Sequence, residues 1–391
     1  MKFLILGSGM QGRACAFDLL KNPATEEVVL ADSAAANLDA ARKLLRSKKA
    51  RLVRMDVSDL AKVRKLAEKA DVMVSCVPYF LNLQLAKTAI AAKTHFVDLG
   101  GNTDIVLKEL ALHGQAKKAG VTLLPDVGLG PGMTTTVAVH GMSQLDSVDE
   151  VMIRDGGLPQ NPIPPMNYML TFSEHGLINE YVEDATALRD FKVVKVPGLS
   201  EIESIDVPGL GRMEAAHASG GLSTLAHTFA GKIRRMDCKL IRYPGHCDVI
   251  NAMTAMGFFS QKPRKVAGAT IAPRQLSAVL FREHFDHPGE KDMVVIHTTV
   301  RGTKNGKKAE VVYDMLVRYD EQNKLTAMMQ TTGFPAAIVA QMLADGRINK
   351  PGAYPVETGI PAEPFFAEAN KRGFGITWKF RYLDSGVPAA A

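Results

Sequence analysis

The sequence predicts an α/β protein: a doubly wound parallel sheet in the N-terminal third, then a second α+β domain with a mixed or antiparallel sheet. Three observations carry this. Over the first 130 residues, short continuous apolar runs alternate with amphipathic helical stretches, the pattern of strands buried on both faces. A glycine-rich turn, Gly7-Ser8-Gly9-Met10-Gln11-Gly12, joins the first run to the first helix. Beyond residue 290 the spacing switches to two-residue alternation around Asn305-Gly306, a hairpin signal.

The elements follow in order. Strands are predicted at 3–6, 27–31, 52–53, 72–77, 96–99 and 121–124, with helices at 10–21, 35–45, 60–70, 82–92 and 104–119. A strand at 148–154 and a Pro-rich loop at 158–165 open the second domain. Three consecutive strands are expected between residues 292 and 333, because no helical stretch separates them. A helix over 334–344 then begins just past Gly333, with Pro335 in its first turn, where proline is favoured. Residues 386–391 offer nothing to bury and read as a frayed tail.

Composition narrows the function class. The 391 residues are 46% hydrophobic and 23% charged, enough for two domains with cores of their own. Four cysteines without a C-x-x-C pair exclude a disulfide scaffold and suit a reducing cytoplasm. No apolar run reaches the roughly 18 residues of a membrane span, and 3–6 is too short for a signal-peptide core. The net charge of +6 is spread along the chain, so the cluster from Arg42 to Arg54 reads as a solvated helix face, not a nucleic-acid track. His284, Asp286 and His287 precede Pro288-Gly289 and read as an exposed loop; no metal is expected.

The glycine turn is the strongest motif. Gly7 permits a tight turn, Gly9 a close approach of backbone to pyrophosphate, and Gly12 close helix–strand packing. The N–H groups around Met10 and Gln11 then face the phosphates. Asp32 lies 20 residues beyond Gly12, at the end of the second strand, the place of a ribose-binding acid. This is a Rossmann fingerprint. Asp32 repels a 2′-phosphate and Ser33 follows it, so NAD is expected over NADP. Cys76, Val77 and Pro78 end the fourth strand, beside the nicotinamide ribose.

Further motifs carry a resemblance: Val97-Asp98-Leu99-Gly100-Gly101, Pro125-Asp126-Val127-Gly128-Leu129-Gly130-Pro131-Gly132-Met133, Ser219-Gly220-Gly221-Leu222-Ser223-Thr224-Leu225, Arg242-Tyr243-Pro244-Gly245-His246 and Ala340-Gln341-Met342-Leu343-Ala344. Their order and spacing resemble the saccharopine dehydrogenase family, nearest its NAD-dependent L-lysine 6-dehydrogenase branch. The resemblance implies a Rossmann domain from 1–127 and 334–391, with a substrate and dimerisation domain from 128–333. It implies oxidation of an amino acid's C–N bond by a nicotinamide cofactor, and a homodimer or larger assembly. In the lysine branch the ε-amine carbon loses hydride, and the imine is hydrolysed to ammonia and an aldehyde that cyclises. Compact length favours this branch, or a carboxynorspermidine-type enzyme, over glutamate-forming saccharopine enzymes.

Such chemistry needs a neutral amine, a base and a carboxylate anchor. Asp98 and Asp126 end parallel strands before glycines, and either could be base or ammonium anchor; each could equally cap its loop. Tyr79, with Asn82, matches the lysine-dehydrogenase pattern, or packs. Arg242 offers a planar fork to an α-carboxylate, and His246 a proton acceptor near neutral pH; a salt bridge and a helix cap are the structural alternatives. Ser219-Gly220-Gly221 could form a backbone nest for the carboxylate, or a simple strand–helix turn.

Overall fold

The computed structural model describes residues 1–287 and 289–383. The expected tail at 386–391 lies outside the described residues.

Seven parallel strands form the first sheet. Their order is Gly352–Ala353, Thr122–Leu124, His95–Asp98, Val72–Ser75, Lys2–Leu6, Glu27–Asp32 and Ala50–Arg54. Phe3, Ile5, Val72, Val74 and Val97 are fully buried, as the continuous apolar runs require. The doubly wound order places the carboxyl ends of Lys2–Leu6, Val72–Ser75, His95–Asp98 and Thr122–Leu124 side by side. That row of strand ends is where ligands bind in open α/β sheets.

The second sheet is mixed. Its main path runs Glu203–Val207, Gly211–His217, Arg235–Arg242, Ser147–Pro159, Asp292–Lys304, Lys307–Arg318 and Thr377–Tyr382. Arg235–Arg242 pairs parallel with Ser147–Pro159, and the other pairings on this path are antiparallel. Asn305 and Gly306 turn the hairpin with φ of 52° and 73°, both in the left-handed region that this residue pair tolerates.

Three expectations need correction. Only two strands, not three, lie between residues 292 and 333; the next partner of Lys307–Arg318 is Thr377–Tyr382. The helix expected from 334 runs Ala327–Ala344, with Pro335 inside it. Its start is set elsewhere in the fold: Asp292 accepts the N–H groups of Ala327 and Met328 at 2.6 and 2.9 Å, and Thr326 Oγ1 accepts that of Met329 at 3.0 Å. Such caps satisfy the free donors of a first turn. Gly333 marks no boundary; a Cβ there would lie 2.7 Å from the Ala14 Cβ, so glycine brings this helix close against helix Met10–Lys21. Finally, segment 334–391 does not return whole to the first sheet. Gly352–Ala353 pairs there, but Thr377–Tyr382 pairs in the second sheet.

Candidate active site

The glycine turn forms as its spacing demands. Gly7 has φ +91°, and a Cβ would sit 2.6 Å from the Cys76 carbonyl oxygen; at Gly12 it would sit 1.9 Å from the Gly7 carbonyl oxygen. At Gly9 a Cβ would meet nothing within 4 Å, so this backbone faces an open cradle. Helix Met10–Lys21 has no side-chain N-cap and no acid in its first turn. Its leading N–H groups are thus free for an anion, and the residues fit a dinucleotide pyrophosphate. Asp32 accepts the N–H of Ser8 at 2.7 Å and that of Ala34 at 2.8 Å, and Asn37 Nδ2 donates to it at 3.1 Å. The carboxylate is therefore held beside the turn.

Next to the turn lie buried acids. Asp98 is 0% exposed, Glu109 1%, Asp126 3% and Glu357 7%. Asp98 Oδ1 accepts the N–H of Gly100 at 2.7 Å and that of Asp126 at 3.3 Å. Asp126 has φ 67°, and a Cβ on Gly100 would collide with its Oδ1 at 1.9 Å; only glycine lets this carboxylate lie there. Ser223 Oγ donates a short hydrogen bond to Asp126 Oδ2. Thr224 and Thr228 donate to Glu357 at 3.1 and 2.5 Å. Burial pushes the Asp126 carboxyl up to about 7, opposed by the Ser223 bond and reinforced by the charges of Asp98 and Glu357. Burial raises Asp98 and Glu109 as well. Among the described residues no Lys or Arg forms an ion pair with any of the four.

Tyr79 borders this cluster: a Cβ on Gly101 would stand 3.4 Å from the Tyr79 Cβ. Asn82 is buried and receives the Ser75 hydroxyl at 2.7 Å, so it ties the helix that follows to the strand end. Burial and the charge of Asp98 raise the Cys76 thiol to about 12, which keeps it un-ionised and unreactive.

The second domain supplies a buried cation beside these acids. Arg242 is 2% exposed and lies over the Tyr168 ring at 4.9 Å. Its Nε donates to the Tyr181 hydroxyl at 3.4 Å, and the nearest carboxylate oxygen, on Glu180, is 3.9 Å away. Burial pushes Glu180 up to about 8 despite Arg242, and pushes Asp155 up to about 6. Two links join this cluster to the first. A Cβ on Gly130, four residues beyond Asp126, would lie 3.0 Å from Asp155 Oδ2. Ser219 N–H donates to the Glu180 carbonyl at 3.1 Å, four residues before Ser223 reaches Asp126.

Both halves match models of one family. Residues 3–124 match the saccharopine dehydrogenase NADP binding domain, and residues 128–374 the saccharopine dehydrogenase C-terminal domain. The chain belongs to the saccharopine dehydrogenase family. Mouse alpha-aminoadipic semialdehyde synthase is 24% identical over 362 residues, 75% of this chain and 39% of that relative. The NADP(+), L-glutamate-forming saccharopine dehydrogenase of Pyricularia oryzae is 27% identical over 202 residues, 50% of this chain and 43% of its own. The chain thus spans about two-fifths of these relatives' length. The solved apo saccharopine dehydrogenase (L-Glu forming) of Saccharomyces cerevisiae superposes with TM-score 0.79 at 20% identity, over 98% of this chain and 100% of that one. Chain length therefore does not separate a glutamate-forming member from a lysine branch, which corrects the expectation drawn from compactness.

Within this saccharopine dehydrogenase fold, several expected roles change. His246 is 2% exposed; Nδ1 meets the Met166 carbonyl at 2.9 Å and Nε2 the Tyr181 hydroxyl at 2.9 Å. Burial first, then the Arg242 charge, lowers it to about 3. With both ring nitrogens engaged, His246 sits in the structural arrangement the sequence offered as its alternative, against the Tyr181 hydroxyl and the Met166 carbonyl. Ser219 N–H is already bound to Glu180, so the expected nest loses one donor, and Gly221 instead packs on Cys238, whose Sγ would meet a Cβ at 2.5 Å. An arginine does flank the Asp32 strand end: Arg54 is its register partner and donates from Nε to the Ser33 carbonyl at 3.4 Å. Sequence reading missed Glu109, Glu180, Ser223 and Glu357 as site residues. Glu109 left a signal, three residues beyond Val106 on the buried face of its helix, and Ser223 lies within the Ser219–Leu225 motif.

Proposed function

We propose that the protein is an NAD-dependent dehydrogenase that oxidises a side-chain amine of an α-amino acid, with L-lysine the first substrate to test. The carrying observation is the group of buried carboxylates, without an ion-pair partner among the described residues, beside the dinucleotide turn. Buried charge unmatched by a partner is costly, and a cationic substrate ammonium relieves that cost.

Bound NAD would supply the hydride acceptor. The net change is R–CH2–NH3⁺ + NAD⁺ + H2O → R–CHO + NH4⁺ + NADH + H⁺. Asp126 is the base in this reading. Its carboxyl, near 7, exchanges protons at working pH, and Ser223 and Gly100 fix its position. It takes the ammonium proton, giving the neutral amine whose lone pair expels hydride. Arg242 binds the α-carboxylate, and the short links through Gly130 and Ser219 hold the two clusters within a few residues' reach. Tyr79 borders the site beside Gly101.

Asp32 supports NAD through its carboxylate at the ribose position. Saccharopine, a secondary amine carrying several carboxylates, is an equally supported substrate by family, and Arg54 beside Ser33 favours testing NADP with it. A panel of lysine and saccharopine against NAD and NADP, followed at the NADH absorbance, tests the reading. Turnover of lysine with NAD supports it; turnover of saccharopine alone replaces it; no amine turnover refutes it.

A further inference from the structure

One buried acid has no place in that mechanism. Glu109 sits on helix Thr103–Leu110, and neither carboxyl oxygen has a hydrogen-bond donor among the described residues. Asp98 Oδ2 is buried in the same condition, and the two side chains lie within hydrogen-bonding contact of each other. Two ionised carboxylates in such a place repel without screening. The titratable groups facing the pair are Asp126 and Cys76; Glu357 lies beyond Asp126. None is a cation. A single proton between the two carboxyls resolves the conflict, since one oxygen then becomes a donor.

We propose that Glu109 is a positioning residue: its neutral carboxyl donates a hydrogen bond to Asp98 Oδ2, so that Asp98 stays an ionised acceptor for the N–H groups of Gly100 and Asp126. Glu109 acts through Asp98 on the placement and proton affinity of Asp126, and touches no reacting atom. The direction of each perturbation agrees. Burial and the charges of Asp98 and Asp126 all raise Glu109, while its hydrogen bond lowers Asp98. This inference rests on the reading of Asp126 as base.

Two variants and two readouts test it. Glu109→Gln keeps a donor for Asp98; Glu109→Leu removes it. In infrared difference spectra of the protein alone at pH 8, wild type should show a buried protonated-carboxyl band that Glu109→Gln lacks. In turnover, Glu109→Gln should stay within about threefold of wild type, a loss no larger than one neutral hydrogen bond. Glu109→Leu leaves Asp98 without its donor, so Asp98 holds a proton more readily and its charge no longer raises Asp126; the acid limb of the kcat/KM profile should move to lower pH by about one unit, with little change in KM. A missing wild-type band overturns the proposal, as do equal losses in both variants or a Glu109→Leu profile that overlays wild type. If wild type turns over no amine, the dehydrogenase reading fails, and the infrared arm still decides where the proton lies.

Discussion

Replacing Asp126 by Asn removes the charge of the proposed base while keeping its shape. The site allows it: Asp126 has φ 67°, a conformation asparagine accepts readily, and the Ser223 hydroxyl can donate to an amide oxygen. The energetic consequence follows from the carboxyl's rise from 3.8 to about 7. Each unit corresponds to about 1.4 kcal/mol, so ionising Asp126 in the fold costs about 4 kcal/mol. The sign follows from proton linkage. Between pH 4 and 7 the folded state holds a proton that the unfolded chain releases, so stability falls as pH rises and the full cost applies above 7. Below about pH 4 both states are protonated and the cost is gone. Asp126→Asn never ionises. Urea denaturation at pH 4.5, 6, 7 and 8.5 should show the variant gaining on wild type with pH, by about 3 kcal/mol across that range. Its turnover should fall by about 10²- to 10⁴-fold. Wild-type and variant stabilities that stay a constant distance apart from pH 4.5 to 8.5 would refute the claim that this carboxyl titrates near neutrality.

Other predictions concern the remaining groups. Asp32→Ala should weaken NAD by about 1–3 kcal/mol and narrow the gap to NADP, measured as Michaelis constants for both; unchanged values for both would remove Asp32 from the cofactor site. Arg242→Lys loses the planar fork and should raise KM for an α-amino acid by about 10- to 100-fold while leaving a simple diamine unaffected, compared by initial rates. His246, lowered to about 3, contributes stability that is present above pH 6.5 and lost as pH falls toward 3. His246→Gln should flatten that acid limb in thermal melts and leave the pH profile of kcat unchanged between pH 6 and 9. Trp378, Phe380 and Tyr382 are 36–42% exposed on the strand at the end of the second sheet. Such a face favours self-association, so light scattering should give a mass above 42.3 kDa; one chain's mass at micromolar concentration would exclude it.

Local chemistry made much of this protein legible. The parallel strands follow from continuous apolar runs, and the nucleotide turn from its glycines, of which Gly7 and Gly12 leave no room for a Cβ. Asn305-Gly306 specified its hairpin by its own conformational preference. Family-wide motifs also led to Asp98, Asp126 and Arg242. Other features were not local. The helix Ala327–Ala344 begins where it does because Asp292, 35 residues earlier, caps it, and no window around Gly333 contains that carboxylate. Thr377–Tyr382 joins the second sheet by pairing with Lys307–Arg318, whose residues lie some 70 positions upstream. His246 has the side chain of a base in any sequence; only the fold buries it beside Arg242 and engages both its nitrogens, with Met166 and Tyr181. Sequence alone determined which groups are available and which turns the backbone can make. Tertiary structure alone decided which carboxyls share a buried space without a cation, because desolvation and charge–charge energy depend on distances between residues far apart in the chain.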